Sequence, residues 1–571
     1  MVKEKVVIGV DFGTLSGRSA VFRVRDGALL GDAVMDYSSG VLKTLPDGTV
    51  LPESSALQKA SDYREVLIHT IREAVRRSGI SPEAVAGIGI DATSSTFVPL
   101  ARSEAHTEAG DSSGTASVSY LPLSEVPGFE NDPHAYVKLW KHHGAGAQAE
   151  RLTQLMQERN EPFTERAGGV INAEWMLPKL LEIYEEAPET YACTDRYQEA
   201  ADWLTELLTG QIKRGFPHAG YKMLYSAEDG GPSAAFLEAA SPGFSGVMEK
   251  LQGELVQAGE PAGYLCEEMA ELLGLPAGIT IGASMIDAHV TVPAAGITGP
   301  DEALLILGTS CCMVVLSEKE LPVHGISGCV KDAVLPGLYA YEAGQSAVGD
   351  LFAWCAKNCV NETVRREALE TGASVQEVLT RHASLLQPGE SGLLALDWWN
   401  GNRSILADTE LSGLILGLRL STEPWEIYRA LLESSAFGMR RILEEFGDAG
   451  VSVKSVHALG GIVLKNPLFM QIYADILKQP VLAGSVPYGS ALGAAIYAAA
   501  AAGSARGGYD SLTEAIRHMS DHDVRIYTPD PGHGEIYDLL YNEYRALHAH
   551  FGEGGSQVMH RLLSIKECVK Q

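Results

Sequence analysis

The sequence predicts an α/β protein built from two related halves, and three observations carry that prediction. Val6 to Val24, VVIGVDFGTLSGRSAVFRV, sets two short β-branched runs on either side of a glycine-containing turn, as a β-hairpin requires. Ala303 to Leu316, ALLILGTSCCMVVL, repeats that design around the turn Gly308-Thr309-Ser310. Elsewhere, short apolar strands alternate with amphipathic helices. Two hairpins, each opening an α/β half, predict two related domains facing each other across a cleft, with one turn contributed by each. The expected divisions are 1–292, 293–550 and a C-terminal tail over 551–571.

Bulk properties narrow the class. A chain of 571 residues is too long for one core, and 46% hydrophobic with 20% charged residues is a globular composition. The net charge of -29 argues against nucleic-acid or anionic-membrane partners, which need a basic footprint. MVKEK leads straight into the first strand without the pattern of a signal peptide, so a cytoplasmic protein is expected. The longest apolar stretch, Ala491 to Ala502, is too short to span a bilayer and reads as a tightly packed core helix. Eight cysteines without CxxC or zinc spacing predict reduced, mostly buried thiols.

The elements follow in order. Asp11 lies where the first strand meets its turn; such turns expose N–H groups to phosphate oxygens, and a neighbouring Asp can hold hydrated Mg²⁺, although turns favour Asp in any case. Tyr63 to Arg77 has helical spacing, and Val85 to Asp91 is a strand ending in the polar cluster Asp91-Ala-Thr-Ser-Ser-Thr96, either a ligand edge or a capped loop. Residues 101–120 lack periodicity and read as an exposed loop or insertion. His142 and His143 have no third ligand at a metal spacing, which favours a surface or satisfied role. Asn172 to Glu186 is a helix in which Pro178 makes a kink or marks a first turn, and Glu199 to Thr209 is another, closed by Gly210. Asp202 beside Trp203 suits polyol recognition, with an exposed helix-face Asp as the plain alternative. A Gly-led loop then presents Lys222, and the strand Gly278 to Gly282 delivers Asp287, the second carboxylate of interest.

In the second half, Glu342 precedes a run of small residues leading into a helix, and Pro424 to Phe446 is a long helix. Gly460-Gly461 ends a short strand before a helix with Asn466, Gln471 and Asp475, and its missing side chains suit a flat ring lying on the backbone. Gly13 to Ser19 has the wrong spacing for a P-loop, with Arg18 where the lysine belongs, and GxSxG and HExxH are absent.

The ordered set Asp11-Phe-Gly-Thr14, Asp287, Gly308-Thr309-Ser310 and Gly460-Gly461 with Asn466, Gln471, Ala474 and Asp475 resembles the FGGY carbohydrate kinases, over nearly the whole chain. That resemblance implies two actin-like (ribonuclease H-like) domains around a nucleotide and sugar cleft, with ATP and Mg²⁺ as cofactors. Within the family, Asn131 to His142, Met176-Leu-Pro-Lys179, Glu199-Ala-Ala-Asp-Trp203 and Glu342 with Gly344-Gln345-Ser346 look most like members that phosphorylate the ketopentose L-ribulose in arabinose breakdown. By the same similarity Asp287 is the general base and Asp11 orients Mg²⁺. The backbone of Gly13-Thr14 and Gly308-Thr309 holds the ATP phosphates, and Gly349, Gly460, Gly461 and Asn466 surround the adenosine. Thr96, Asp202, Lys222 and Glu342, with Asp287, grip the pentulose. A homodimer stays open, as does substrate choice at Thr96, where the family varies. Xylulose or glycerol phosphorylation is the near alternative; an actin-like ATPase without sugar transfer, or an inactive sugar sensor, is the distant one.

Overall fold

The computed structural model describes residues 4–103, 120–486, 488–520 and 523–570, which fold into two compact units. Unit 1 comprises Met1–Thr298, Val330–Gly337 and Tyr488–Ser520; unit 2 comprises Gly299–Cys329, Leu338–Pro487 and Asp521–Gln571.

The unit 1 sheet runs Pro261–Tyr264, Thr280–Gly282, Val85–Ala92, Val6–Phe12, Ser16–Arg23, Leu29–Asp36, with Met285–Ile286 also pairing Val85–Ala92. Val6–Phe12 is antiparallel to Ser16–Arg23 and parallel to Val85–Ala92, so the opening hairpin forms as expected and gains a third strand. Alternation along Val6–Phe12 sends Val6, Ile8, Val10 and Phe12 into a core with Tyr63, Leu67 and Ile71 of the helix Ala60–Ser78. The opposite face takes the helix Gly489–Arg506 at backbone distance. A Cβ on Gly9 would stand 1.7 Å from the Ala491 carbonyl oxygen, and one on Gly89 2.0 Å from that of Ala494. This is the core helix expected at Ala491 to Ala502. Its apolar surface is covered by unit 1 strands, so Tyr488–Ser520 folds with unit 1 and departs from the 293–550 division. The 551–571 tail likewise joins unit 2, where the helix Val558–Lys570 lays Met559 against the core.

Unit 2 repeats the sheet: Tyr339–Gln345, Cys311–Ser317, Glu302–Leu307, Ser455–Leu459, Val481–Gly484, Val524–Tyr527. Tyr339–Gln345, Cys311–Ser317 and Glu302–Leu307 are antiparallel neighbours, Glu302–Leu307, Ser455–Leu459 and Val481–Gly484 are parallel, and Val524–Tyr527 closes the edge antiparallel. Strand by strand this is the unit 1 pattern from Leu29–Asp36 to Pro261–Tyr264, so the duplication seen in the two hairpins extends to the whole sheet.

Unit 1 carries a second sheet in which Phe97–Arg102 pairs with Tyr120–Pro122, Val137–Lys138 and Arg196–Glu199. The loop expected at 101–120 is therefore narrower: Ala101 and Arg102 pair with Leu121 and Tyr120, and 104–119 lies outside the described residues. Pro178 falls in the first turn of the helix Met176–Glu186, where its missing N–H costs nothing. All eight cysteines are free, but only Cys311, Cys329 and Cys355 are buried, fewer than the expected majority.

Candidate active site

Three carboxylates gather at the C-terminal ends of neighbouring unit 1 strands, the edge where open α/β sheets bind ligands. Asp11 and Asp91 are register partners on parallel strands. Asp287 follows directly on Met285–Ile286, its N–H donating to the Ala92 carbonyl at 3.1 Å. Their exposure differs: Asp91 is 0% exposed and Asp11 7%, while Asp287 is half-buried, its Oδ1 accepting from the Ala288 N–H at 2.8 Å. Neither Asp91 oxygen has a hydrogen-bond donor among the described residues. Burial, with the charges of Asp11 and Asp287, holds its carboxyl well above the usual carboxylate range. Burial also raises Asp11, and the Arg18 guanidinium, Nε 3.3 Å from Oδ2, pulls it back down.

The turn after Asp11 is braced from three sides. The Tyr37 hydroxyl donates to the Gly13 carbonyl at 2.9 Å, Gln58 Nε2 to the Thr14 carbonyl at 2.9 Å, and Trp140 Nε1 to Thr14 Oγ1 at 3.0 Å. Thr96 is fully buried; its hydroxyl accepts from the Trp140 N–H at 3.2 Å and bonds Thr93 Oγ1 at 2.7 Å. Lys222 ends the helix Phe216–Lys222, 5.7 Å above the Trp175 ring, beside Tyr221, which packs on Ile286 next to Asp287.

Asp202 is 1% exposed, which removes the alternative of an exposed helix-face residue. Its Oδ1 accepts from the Gly215 N–H at 2.8 Å and from the Ser284 hydroxyl, tying the start of the Lys222 helix to the segment leading into Asp287. Oδ2 stands 3.8 Å from Arg214 Nε, and burial raises the carboxyl to about 6 against the pull of Arg214. Glu199, buried nearby, accepts from the Ser95 N–H at 3.2 Å and is pushed up to about 8 by burial and then by Asp202. His218, within 3.8 Å of Glu199, is held neutral by burial. Several buried polar atoms of this region make no hydrogen bond among the described residues: both Asp91 oxygens, the Ser94 and Ser95 hydroxyls, and Glu199 Oε2 and Asp202 Oδ2, which meet His218 and Arg214 only at 3.8 Å.

His142 is a satisfied interior residue, accepting the Ala56 N–H at Nδ1 and meeting Glu182 at Nε2, and His143 is exposed against Glu174. Among the described residues no three His, Cys, Asp or Glu groups form a metal cluster. Asp11 with Asp91 suits Mg²⁺ nonetheless, since that ion takes one or two carboxylates and keeps several waters; the unpartnered Asp91 oxygens fit such a role.

In unit 2 the Gly308-Thr309 turn caps a helix. The N–H groups of Val348, Gly349 and Asp350 donate to the carbonyls of Thr309, Gly308 and Thr309 at 2.9, 3.0 and 3.2 Å, at the start of Gly349–Asn358. Gly349 is glycine because a Cβ would stand 2.6 Å from the Gly308 oxygen. Gly460 has φ +126° and would put a Cβ 2.1 Å from the Leu307 oxygen, whereas Gly461 faces open space. Asn466 is a buried helix cap, Oδ1 accepting from the Phe469 N–H at 3.1 Å and Nδ2 donating to Tyr428 at 3.3 Å. Glu342 lies half-buried in Tyr339–Gln345. Local structure thus accounts for Gly349, Gly460 and Asn466, and only Gly461 of the four adenosine candidates stands clear.

A model of the FGGY family of carbohydrate kinases, C-terminal domain, matches residues 303–502. The ribulokinase of Halalkalibacterium halodurans is 44% identical over 565 residues, 98% of each chain. The chain belongs to the FGGY family of carbohydrate kinases. The ribulokinase of Mycolicibacterium smegmatis is 43% identical over 98% of this chain and 96% of its own length. Among solved structures, a xylulose kinase from Rhodospirillum rubrum superposes with a TM-score of 0.75 at 24% identity, covering 95% of this chain and 98% of the other. A gluconate kinase from Lactobacillus acidophilus reaches 0.76 at 16%, over 97% and 99%. These two share the fold, the two-domain actin-like one that the resemblance implied. As an FGGY kinase the chain transfers a phosphoryl group from ATP to a carbohydrate.

Sequence reasoning left Asp91, Glu199, Arg214, His218, Trp140 and Lys179 without roles. Asp91 had a usable signal, a carboxylate closing a buried strand as Asp11 does; the others depend on tertiary pairing.

Proposed function

We propose that this kinase phosphorylates L-ribulose to L-ribulose 5-phosphate, a cytoplasmic step of arabinose breakdown. Full-length identity of 41–44% to several ribulokinases supports the substrate. The observation that carries the chemistry is the set of three acidic strand ends, of which Asp287 alone is half-exposed.

Asp287 accepts the proton of the sugar's terminal hydroxyl. Phosphoryl transfer passes through a loose transition state, so the proton leaves late and a carboxylate of ordinary basicity suffices once the oxygens are aligned. Asp11, with Asp91 beside it, would hold Mg²⁺, which when bound neutralises charge on the transferring phosphate. By the family resemblance the Gly13-Thr14 and Gly308-Thr309 backbones are assigned to the phosphates and Gly461 to the adenosine ring. Lys222, Glu342 and the Thr93 to Thr96 loop recognise the pentulose, the ammonium donating to its oxygens and the carboxylate accepting its hydroxyl protons. Asp202 serves the same site.

Coupled ADP release across L-ribulose, D-ribulose, D-xylulose, ribitol and glycerol tests the proposal. L-ribulose is expected to give the highest kcat/KM. Strong preference for xylulose or glycerol over both ribuloses would contradict the substrate and spare the kinase class.

A further inference from the structure

Trp140 bonds two parts of the site at once. Its indole N–H reaches Thr14 Oγ1 in the turn after Asp11, at 3.0 Å, and its backbone N–H reaches Thr96 Oγ1 in the loop after Asp91, at 3.2 Å. That loop carries the buried, unpartnered hydroxyls of Ser94 and Ser95, and Ser95 sits at φ +58°, a left-handed conformation that L side chains rarely adopt. Strain and unmet hydrogen-bonding capacity together mark a loop shaped for a polar ligand.

The Trp140 backbone is held in turn by one face of the helix Met176–Glu186. Lys179, fully buried, donates to the carbonyls of Ser95, Leu139 and Trp140 at 3.1, 2.7 and 3.1 Å. Those three bonds use all three ammonium protons. One turn on, Glu182 takes Lys138 Nζ at 3.0 Å and His142 Nε2 at 3.0 Å, the residues two before and two after Trp140. Lys179 also bonds the Ser95 loop itself, so the same helix fixes the loop and the strut that leaves it.

We propose that Trp140, held by Lys179 and Glu182, is a positioning residue that couples the sugar-side loop Thr93–Thr96 to the phosphate-side turn at Thr14. Sugar that orders the loop then sets the turn through the indole, and nucleotide that orders the turn sets the loop by the same amount, because binding couplings are reciprocal. The proposal rests on the assignment of loop and turn to sugar and phosphate made above.

The test is calorimetric binding of Mg²⁺ with a non-hydrolysable ATP analogue, with and without L-ribulose, in the wild type and in Trp140→Phe, which keeps the ring and loses the N–H. In the wild type, sugar should tighten analogue binding by about fivefold or more. In Trp140→Phe that gain should fall to about one with thermal unfolding unchanged, whatever the affinity without sugar becomes. A gain that survives in a folded Trp140→Phe overturns the coupling, as does a wild type showing no gain with a sugar it phosphorylates. If Trp140→Phe does not fold, benzothienylalanine at position 140 removes only the N–H and is judged by the same criterion. A wild type that ignores L-ribulose but shows the gain with another ketose contradicts the substrate assignment; the coupling then stands or falls on its loss in the variant with that ketose.

Discussion

In unit 1 the register pair at the ends of the first and central parallel strands is Asp11 and Asp91; in unit 2 the corresponding pair is Ile306 and Leu459. Both pairs are followed by a Gly-Thr turn, Gly13-Thr14 and Gly308-Thr309, with the glycine N–H closing the turn at 3.0 and 2.9 Å. The backbone solution is shared, since both turns present amides, but the side chains diverge. Unit 1 buries two carboxylates, Asp11 paired with Arg18 and Asp91 without a hydrogen bond among the described residues, and unit 2 fills the same two positions with apolar residues. Burying carboxylates against one another costs stability, and their concentration in one of two like sheets is what supports assigning the reaction chemistry to that edge.

Breaking the unit 1 side should have the largest effect. Asp287→Ala should lower kcat by about 10²–10⁴-fold, the usual worth of a positioned base, while ATP-analogue affinity measured by calorimetry stays within about twofold. On the unit 2 side the expected loss is structural. Gly460→Val, at φ +126° against the Leu307 oxygen, should cost about 3 kcal/mol or more in denaturant unfolding, and its neighbour Gly461→Ala, in open space, about 0.5 kcal/mol or less.

A pH effect sharpens the same contrast. Glu199 has an ordinary value of 4.5 and is raised to about 8 in the folded protein. Between those values the unfolded chain has released the proton and the folded one keeps it, so stability is greatest below the lower value and declines as pH rises toward the upper one. Glu199→Gln should flatten that part of the stability profile, read from urea midpoints across the range.

Much of this was legible from residues alone. Both hairpins and the Ala-rich core helix follow from local pattern, because period and turn chemistry are local properties. The allocation of Tyr488–Ser520 to unit 1 was not, since it depends on Gly9 and Gly89 accepting a helix backbone from far along the chain. Nor was the packing need at Gly349 and Gly460 legible: they suggest room for a nucleotide, and each is in addition required by a carbonyl of its own unit. Asp202 and Thr96 have side chains suited to sugar hydroxyls, but their hydrogen bonds run to Gly215, Ser284, Trp140 and Thr93, partners that only the tertiary fold supplies.

The sharpest test of a sheet edge that trades stability for chemistry is Asp91→Asn, followed by urea unfolding and by kcat on the same preparation. Replacing a buried carboxyl whose ionisation burial, Asp11 and Asp287 all oppose should raise stability by on the order of 1–3 kcal/mol and lower kcat by about tenfold or more. A variant that is less stable, or as active as the wild type, would contradict it.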